Sequence, residues 1–101
     1  MKFRTAWSAQ AEVYVKSLAP EPRSWFRAAV KALAEGRGRA DVRALEGRLQ
    51  GYFRLRVGTH RIIYAVRTHA GGPTIDFIFA GPRSTVYEAF EQILADELSR
   101  R

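Results

Sequence analysis

The residues best suited to chemistry in this chain are arginines at alternating positions. Arg54 and Arg56 stand two apart in Tyr52-Phe-Arg-Leu-Arg-Val57, and Arg61 follows the pair Gly58-Thr59. The alternation of Phe53, Leu55 and Val57 with Tyr52, Arg54 and Arg56 has the period of a strand with one buried face. A glycine at the first central position is what a two-residue type II′ turn requires, because that residue needs a positive φ. With the turn at Gly58-Thr59, a second strand from His60 sets Val57 opposite His60, Arg56 opposite Arg61, Leu55 opposite Ile62 and Arg54 opposite Ile63. Arg54, Arg56 and Arg61 then share one surface, and Phe53, Leu55, Ile62, Tyr64 and Val66 share the other, the core side. Like charges opposed across a sheet repel by a few tenths of a kcal/mol or more. A bound polyanion relieves that repulsion, since guanidinium forks match phosphate oxygens in bidentate geometry and stay charged at physiological pH. The alternative is a solvated outer face, the usual place for charge on an antiparallel sheet.

Other chemistries find less support. His60 and His69 lack the spacing of a zinc site, no glycine-rich phosphate loop follows a strand, and no Ser/His/Asp arrangement is visible. The absence of cysteine excludes disulfides and cysteine metal sites, in keeping with a reducing compartment. No metal or cofactor is expected. Arg83 and Tyr87 are four apart, so one helical turn containing both presents them on one side.

The elements that must position these residues fit one domain spanning residues 1–101. Lys2 to Trp7 reads as a first strand, with Phe3, Thr5 and Trp7 on one side. Ser8 can cap a helix over 9–18, whose apolar stripe is Ala11, Tyr14, Val15 and Leu18. Pro20 and Pro22 end it, and Pro22 or Arg23 begins a second helix with the stripe Trp25, Phe26, Ala29, Val30 and Leu33, stopped by Gly36. Residues 37–50 show no steady periodicity and read as a surface connection pinned by Val42, Leu45 and Leu49. Arg37, Arg39, Arg43 and Arg48 in it either extend the basic face toward a nucleic-acid backbone or belong to a solvated loop. Ala70-Gly-Gly-Pro73 signals a loop, and Thr74 to Ala80 a third strand with Ile75, Phe77 and Phe79 facing the core and Asp76 on the opposite parity, on the arginine face or the rim. Gly81-Pro82 breaks that strand. A final helix opens near Ser84, with Val86, Phe90, Ile93 and Leu94 as its stripe.

The formal charge is +7, from 14 arginines and 3 lysines against 10 acidic residues. It is uneven: residues 36–67 hold eight arginines against Asp41 and Glu46, whereas residues 84–99 hold Glu88, Glu91, Asp96 and Glu97 and no basic residue. One end should therefore attract nucleic acid or an acidic polypeptide. No apolar run approaches the roughly 18 residues that span a bilayer, and the amino terminus lacks the apolar segment of a signal peptide. A soluble cytoplasmic protein with no membrane partner is expected.

Leu45-Glu-Gly47, the stretch Gly51-Tyr-Phe-Arg-Leu-Arg-Val-Gly-Thr-His-Arg-Ile-Ile-Tyr64, Phe79-Ala-Gly-Pro-Arg83 and Val86-Tyr87 together resemble the RelE/ParE superfamily of bacterial toxin-antitoxin toxins, in element order over nearly the whole chain. The resemblance implies an α+β microdomain, in which a helical hairpin packs on a small, mainly antiparallel sheet of about four strands with a C-terminal helix. It also implies a cognate antitoxin whose acidic or amphipathic segment covers the basic face, giving a hetero-oligomer. In RelE-like members it further implies cleavage of messenger RNA in the ribosomal decoding site, where the RNA's own 2′-hydroxyl attacks the adjacent phosphate without a metal.

The carry-over falls on Arg54, Arg56, Arg61, Arg83 and Tyr87. Guanidinium groups stay protonated at any physiological pH and cannot act as bases, but they can hold the scissile phosphate and stabilise charge that grows in the transition state. Arg61 is the first choice for that role, with Arg83 and Arg54 assisting. The Tyr87 hydroxyl is the group nearby that could exchange a proton with the 2′-hydroxyl; equally, the ring could stack on a base or cap the core. Arg56, Arg48, Arg43 and Tyr52 are the further candidate RNA contacts. RelE itself has a lysine where this chain has Tyr52, which removes a candidate base. A ParE-like inhibitor of DNA gyrase without a nuclease site, and an inactive member that binds only antitoxin or operator DNA, are the competing readings.

Overall fold

A computed structural model describes residues 2–36 and 40–99. Its elements are β1 (Arg4–Trp7), α1 (Ala9–Ser17), α2 (Pro20–Glu35), β2 (Asp41–Ala44), β3 (Phe53–Val57), β4 (His60–His69), β5 (Gly72–Pro82) and α3 (Thr85–Ser99), with a 3-10 turn at Gly47–Leu49. The strands form one sheet in the order β1-β5-β4-β3-β2, parallel between β1 and β5 and antiparallel elsewhere. The expected α+β architecture is therefore present, with five strands rather than about four. The added strand is β2, inside the segment read as an irregular connection. Four residues are too few to show a period, and the strand is specified by pairing with β3, Asp41 to Arg56 and Arg43 to Arg54. Arg37 and Arg39 lie outside the described residues.

The central hairpin has the expected register, Val57 to His60, Arg56 to Arg61, Leu55 to Ile62 and Arg54 to Ile63. Gly58 supplies the turn's positive φ of 60°. The two faces of the sheet differ from the sequence reading, because both are covered. Helices α1 and α2 pack on one face against Leu55, Val57, Ile62, Tyr64, Ile75 and Phe77, with Ala11, Val15 and Phe26 as the buried helical side chains. On the other face α3 lays Val86 and Phe90 over Ile63 and Leu49. The arginine-bearing face is thus the floor of a second, smaller core and not simply a solvated surface.

Local chemistry sets the junctions. The Ser8 hydroxyl accepts the Ala11 N–H to cap α1, while the Ser8 N–H donates to the Phe77 carbonyl at 2.8 Å. Beyond the end of β1, the Gln10 side chain takes over the edge of β5, donating to the Ala80 carbonyl at 2.6 Å and accepting its N–H at 2.8 Å. These bonds serve backbone groups that no neighbouring strand reaches. They lie beside a register shift of β4 against β5 at Ile63/Tyr64. That irregularity corrects one expectation: Ile75 and Phe77 face the helical hairpin, but Phe79 turns to the opposite core and stacks on Phe90 with ring centroids 6.0 Å apart. An inserted residue reverses the alternation that the sequence reading extended unbroken.

Other boundaries shift for similar reasons. α2 starts at Pro20 rather than Pro22, since proline is tolerated throughout a first turn. β5 continues through Gly81-Pro82, and the chain turns instead at Arg83, whose φ is 54°. Ala70-Gly71 is a tight turn rather than a loop. Val66 has the parity of the core face but lies beyond the helical cover and is 48 % exposed; Trp25, expected in the α2 stripe, is 49 % exposed. Among the described residues no helix is long and apolar enough to cross a membrane.

Candidate functional site

Cross-strand partners project from the same side of a sheet, so the register alone gathers Arg54, Arg56 and Arg61 on one face and adds Asp41 and Arg43 from β2. Arg54 is largely enclosed, its side chain 11 % exposed, and its Nη2 donates to Asp41 Oδ1 at 2.8 Å. The other carboxylate oxygen, Oδ2, lies 3.2 Å from Arg56 Nε. One acid thus bridges two guanidiniums. Arg54 Nε is buried and has no hydrogen-bond partner among the described residues. Arg61 is half-buried, and its Nη1 reaches only the His60 carbonyl, at 3.5 Å. Arg43, Arg48, Arg61 and Arg83 have no acidic partner among the described residues.

The remaining candidates arrive from the chain after β5. The Arg83 N–H donates to the Thr59 carbonyl at 2.6 Å, which ties Arg83 to the tip of the hairpin whose next residues are His60 and Arg61. Tyr87, in the first turns of α3, packs on the cluster of Ile63, Leu49, Val86 and Phe90. Ile63 is the direct neighbour of Arg54 across β3 and β4, so α3 brings Tyr87 onto the face that bears the arginines. Tyr52 is used differently: its ring meets Phe90 edge-on with centroids 5.1 Å apart and so supports α3. Arg48 is exposed on the 3-10 turn whose Leu49 is buried beneath the same helix.

The sequence matches no protein-family model and no curated protein. Comparison with solved structures does find likeness. The structure of an archaeal RelE-RelB complex from Pyrococcus horikoshii OT3 superposes with a TM-score of 0.60 at 27 % identity, over 83 % of this chain and 98 % of that one. A YoeB/ParE toxin from Agrobacterium tumefaciens gives 0.64 at 16 % identity, covering 80 % and 99 % of the two chains. The RelB-RelE antitoxin-toxin complex from Methanococcus jannaschii gives 0.61 at 18 %, covering 84 % and 98 %. The fold is that of RelE/ParE-superfamily toxins.

Within this RelE/ParE fold, the sequence reading missed Asp41. Asp41-Val42-Arg43-Ala44 is too short for its alternation to mark a strand, and only pairing with β3 reveals that the acid faces two arginines. Asp76 does share the arginine-face parity, yet it sits at the far end of β5, 3.4 Å from Arg67 Nε and 3.6 Å from His69 Nε2, apart from Arg54, Arg56 and Arg61. His60 lies on the helical side, where its Nδ1 and the Tyr14 hydroxyl are 2.7 Å apart. Burial there pushes the Tyr14 phenol up from its ordinary pKa, and burial does the same to Tyr64. A groove of about 870 Å³ between β1 and the helical hairpin has a floor of Phe3, Trp7, Val15, Phe26 and Val30 and a rim including Arg4, Arg27 and Lys31. Among the described residues no group of three or more His, Asp or Glu side chains is placed to hold a metal ion.

Proposed function

We propose that this protein is the toxin of a toxin-antitoxin pair and cleaves messenger RNA, on the ribosome, by using the RNA's 2′-hydroxyl as nucleophile. The observation that supports the reading is the gathering of Arg54, Arg56 and Arg61 on one face, against which the helix that carries Tyr87 packs through Val86 and Phe90. Attack of the 2′-oxygen on the adjacent phosphorus builds negative charge on the phosphoryl oxygens before the 5′-oxygen departs. Guanidiniums fixed by strand register can stabilise that charge without reorganising. Arg61, half-buried and without an acidic partner among the described residues, suits contact with the scissile phosphate; Arg54 stands diagonal to it in the register, Arg83 is tied by its backbone to the hairpin tip, and Tyr87 offers a hydroxyl for proton transfer with the 2′-oxygen. Arg56, Arg43 and Arg48 continue the basic surface along β3, β2 and the 3-10 turn for the neighbouring phosphates.

An antitoxin partner is part of the same proposal, supported by the RelE-RelB complexes to which the fold is similar. An acidic segment laid across the arginine face would neutralise it. The groove beside α2 offers an amphipathic segment an apolar seat with a cationic rim.

The test is Arg61→Ala. Programmed ribosomes incubated with the wild-type protein should show mapped cuts in the messenger, and the variant should lose both cleavage and growth arrest while still binding the antitoxin encoded beside it. Undiminished toxicity from a folded Arg61→Ala protein would refute the assignment, and loss of gyrase supercoiling without RNA cuts would replace it with the ParE-like reading.

A further inference from the structure

On the reading that the arginine face binds RNA, we propose that the Asp41 carboxylate holds the place of a backbone phosphate between Arg54 and Arg56 and is displaced when RNA binds. The geometry is that of a stand-in anion. Its two oxygens contact two different guanidiniums, Oδ1 at 2.8 Å from Arg54 Nη2 and Oδ2 at 3.2 Å from Arg56 Nε, as the two non-bridging oxygens of a phosphodiester would. The fit is incomplete on the arginine side. Arg54 Nε is buried and unpartnered, so the site presents one more donor than the carboxylate satisfies. A buried donor without a partner is costly, and a tetrahedral phosphate, whose non-bridging oxygens are spaced more widely than those of a carboxylate, can take it.

Asp41 is also built to leave. It is the first residue of a four-residue edge strand, and its side chain is 51 % exposed, so water receives the carboxylate when it swings away. The exposed half of such an ion pair stabilises the fold only weakly. The arrangement keeps Arg54 and Arg56 extended toward one point in the free protein, despite their shared charge. It also makes every incoming phosphate compete with an internal carboxylate, so Asp41 sets the affinity and the salt range over which the face accepts RNA.

The experiment measures binding of a fluorescent, 2′-O-methylated RNA oligonucleotide, which cannot be cleaved by 2′-attack, to the full chain by anisotropy at several salt concentrations. Asp41→Asn keeps the shape and removes the charge. It should tighten binding about fivefold, the effect of deleting one water-screened unit charge at contact. It should also steepen the slope of log K against log salt by about 0.7, one more phosphate neutralised on a single strand. Asp41→Glu should bind as the wild type does, and the gain should vanish when Arg54→Gln is added to Asp41→Asn. Unchanged or weaker binding by Asp41→Asn, or a gain that survives Arg54→Gln, overturns the inference while RNA binding that depends on Arg61 leaves the functional reading standing. No RNA binding by either protein at low salt overturns both.

Discussion

Removing the Phe90 side chain should detach α3 from the sheet without unfolding the sheet itself. α3 has two fully buried side chains, Val86 and Phe90, and Phe90 is the larger, wedged between Tyr52 and Phe79 at centroid distances of 5.1 and 6.0 Å. Phe→Ala in such a site costs about 3–5 kcal/mol, from lost transfer energy plus the cavity left behind. The helical layer on the opposite face has its own buried cluster built on Phe26, Leu55, Ile62 and Phe77, which Phe90 does not join. The loss should therefore fall on one layer. At ~1.4 kcal/mol per factor of ten, backbone amides of residues 88–95 should exchange with solvent about a hundredfold faster or more in Phe90→Ala, while the amides pairing β3, β4 and β5 keep most of their protection. Native-state hydrogen exchange reads both. Because the same helix carries Tyr87, the proposed RNA cleavage should fall with α3 order, although Phe90 contacts no substrate in the proposed mechanism. The reasoning fails if α3 stays protected, or if every strand amide loses protection by the same factor, for then the two layers are one cooperative unit.

The other expectations are simpler. Burial holds the Tyr14 and Tyr64 phenols protonated above the ~10 of an unfolded tyrosine. Stability should thus be full below pH ~10 and fall as the pH rises from there through the folded values, since the unfolded chain releases those protons first; the double variant Tyr14→Phe/Tyr64→Phe should flatten that alkaline fall in urea titrations, and equal losses in both proteins would contradict it. Tyr14→Phe alone removes the hydroxyl facing His60 Nδ1 and should cost about 0.5–1.5 kcal/mol at neutral pH, measured from denaturant midpoints. Gly58→Ala places a side chain at φ 60° in the hairpin turn, where the nearest atom to the new Cβ is Trp25 Cζ3 at 4.0 Å. Strain rather than crowding should then lower stability by about 1–2 kcal/mol, and a larger loss would point to a clash.

What could be read from the residues depended on how local the deciding interaction was. The Gly58-Thr59 turn and the alternation on either side of it are short-range, so the β3-β4 register, and with it the common face of Arg54, Arg56 and Arg61, followed without coordinates. Ser8 as a cap, Gly36 as a stop and the Ala11–Val15 stripe are equally local. The resemblance carried by the arginine hairpin and the late Arg83 and Tyr87 led to the fold that comparison with solved structures then found. Features decided between distant segments were misread. Asp41–Ala44 is a strand only because β3 lies beside it, and Phe79 changes face only because β5 slips against β4.

The sequence by itself determined the composition of the hairpin and pointed to its turn, and a two-residue turn at Gly58-Thr59 leaves the flanking strands one pairing, the one observed. Tertiary structure alone decided that the arginine face is half roofed by α3, that Tyr52 supports that roof, and that Asp41 sits between two guanidiniums. The reason is physical: an apolar stripe states that a helix must be covered, but which of two faces covers it depends on the area each leaves exposed once the rest of the chain has packed.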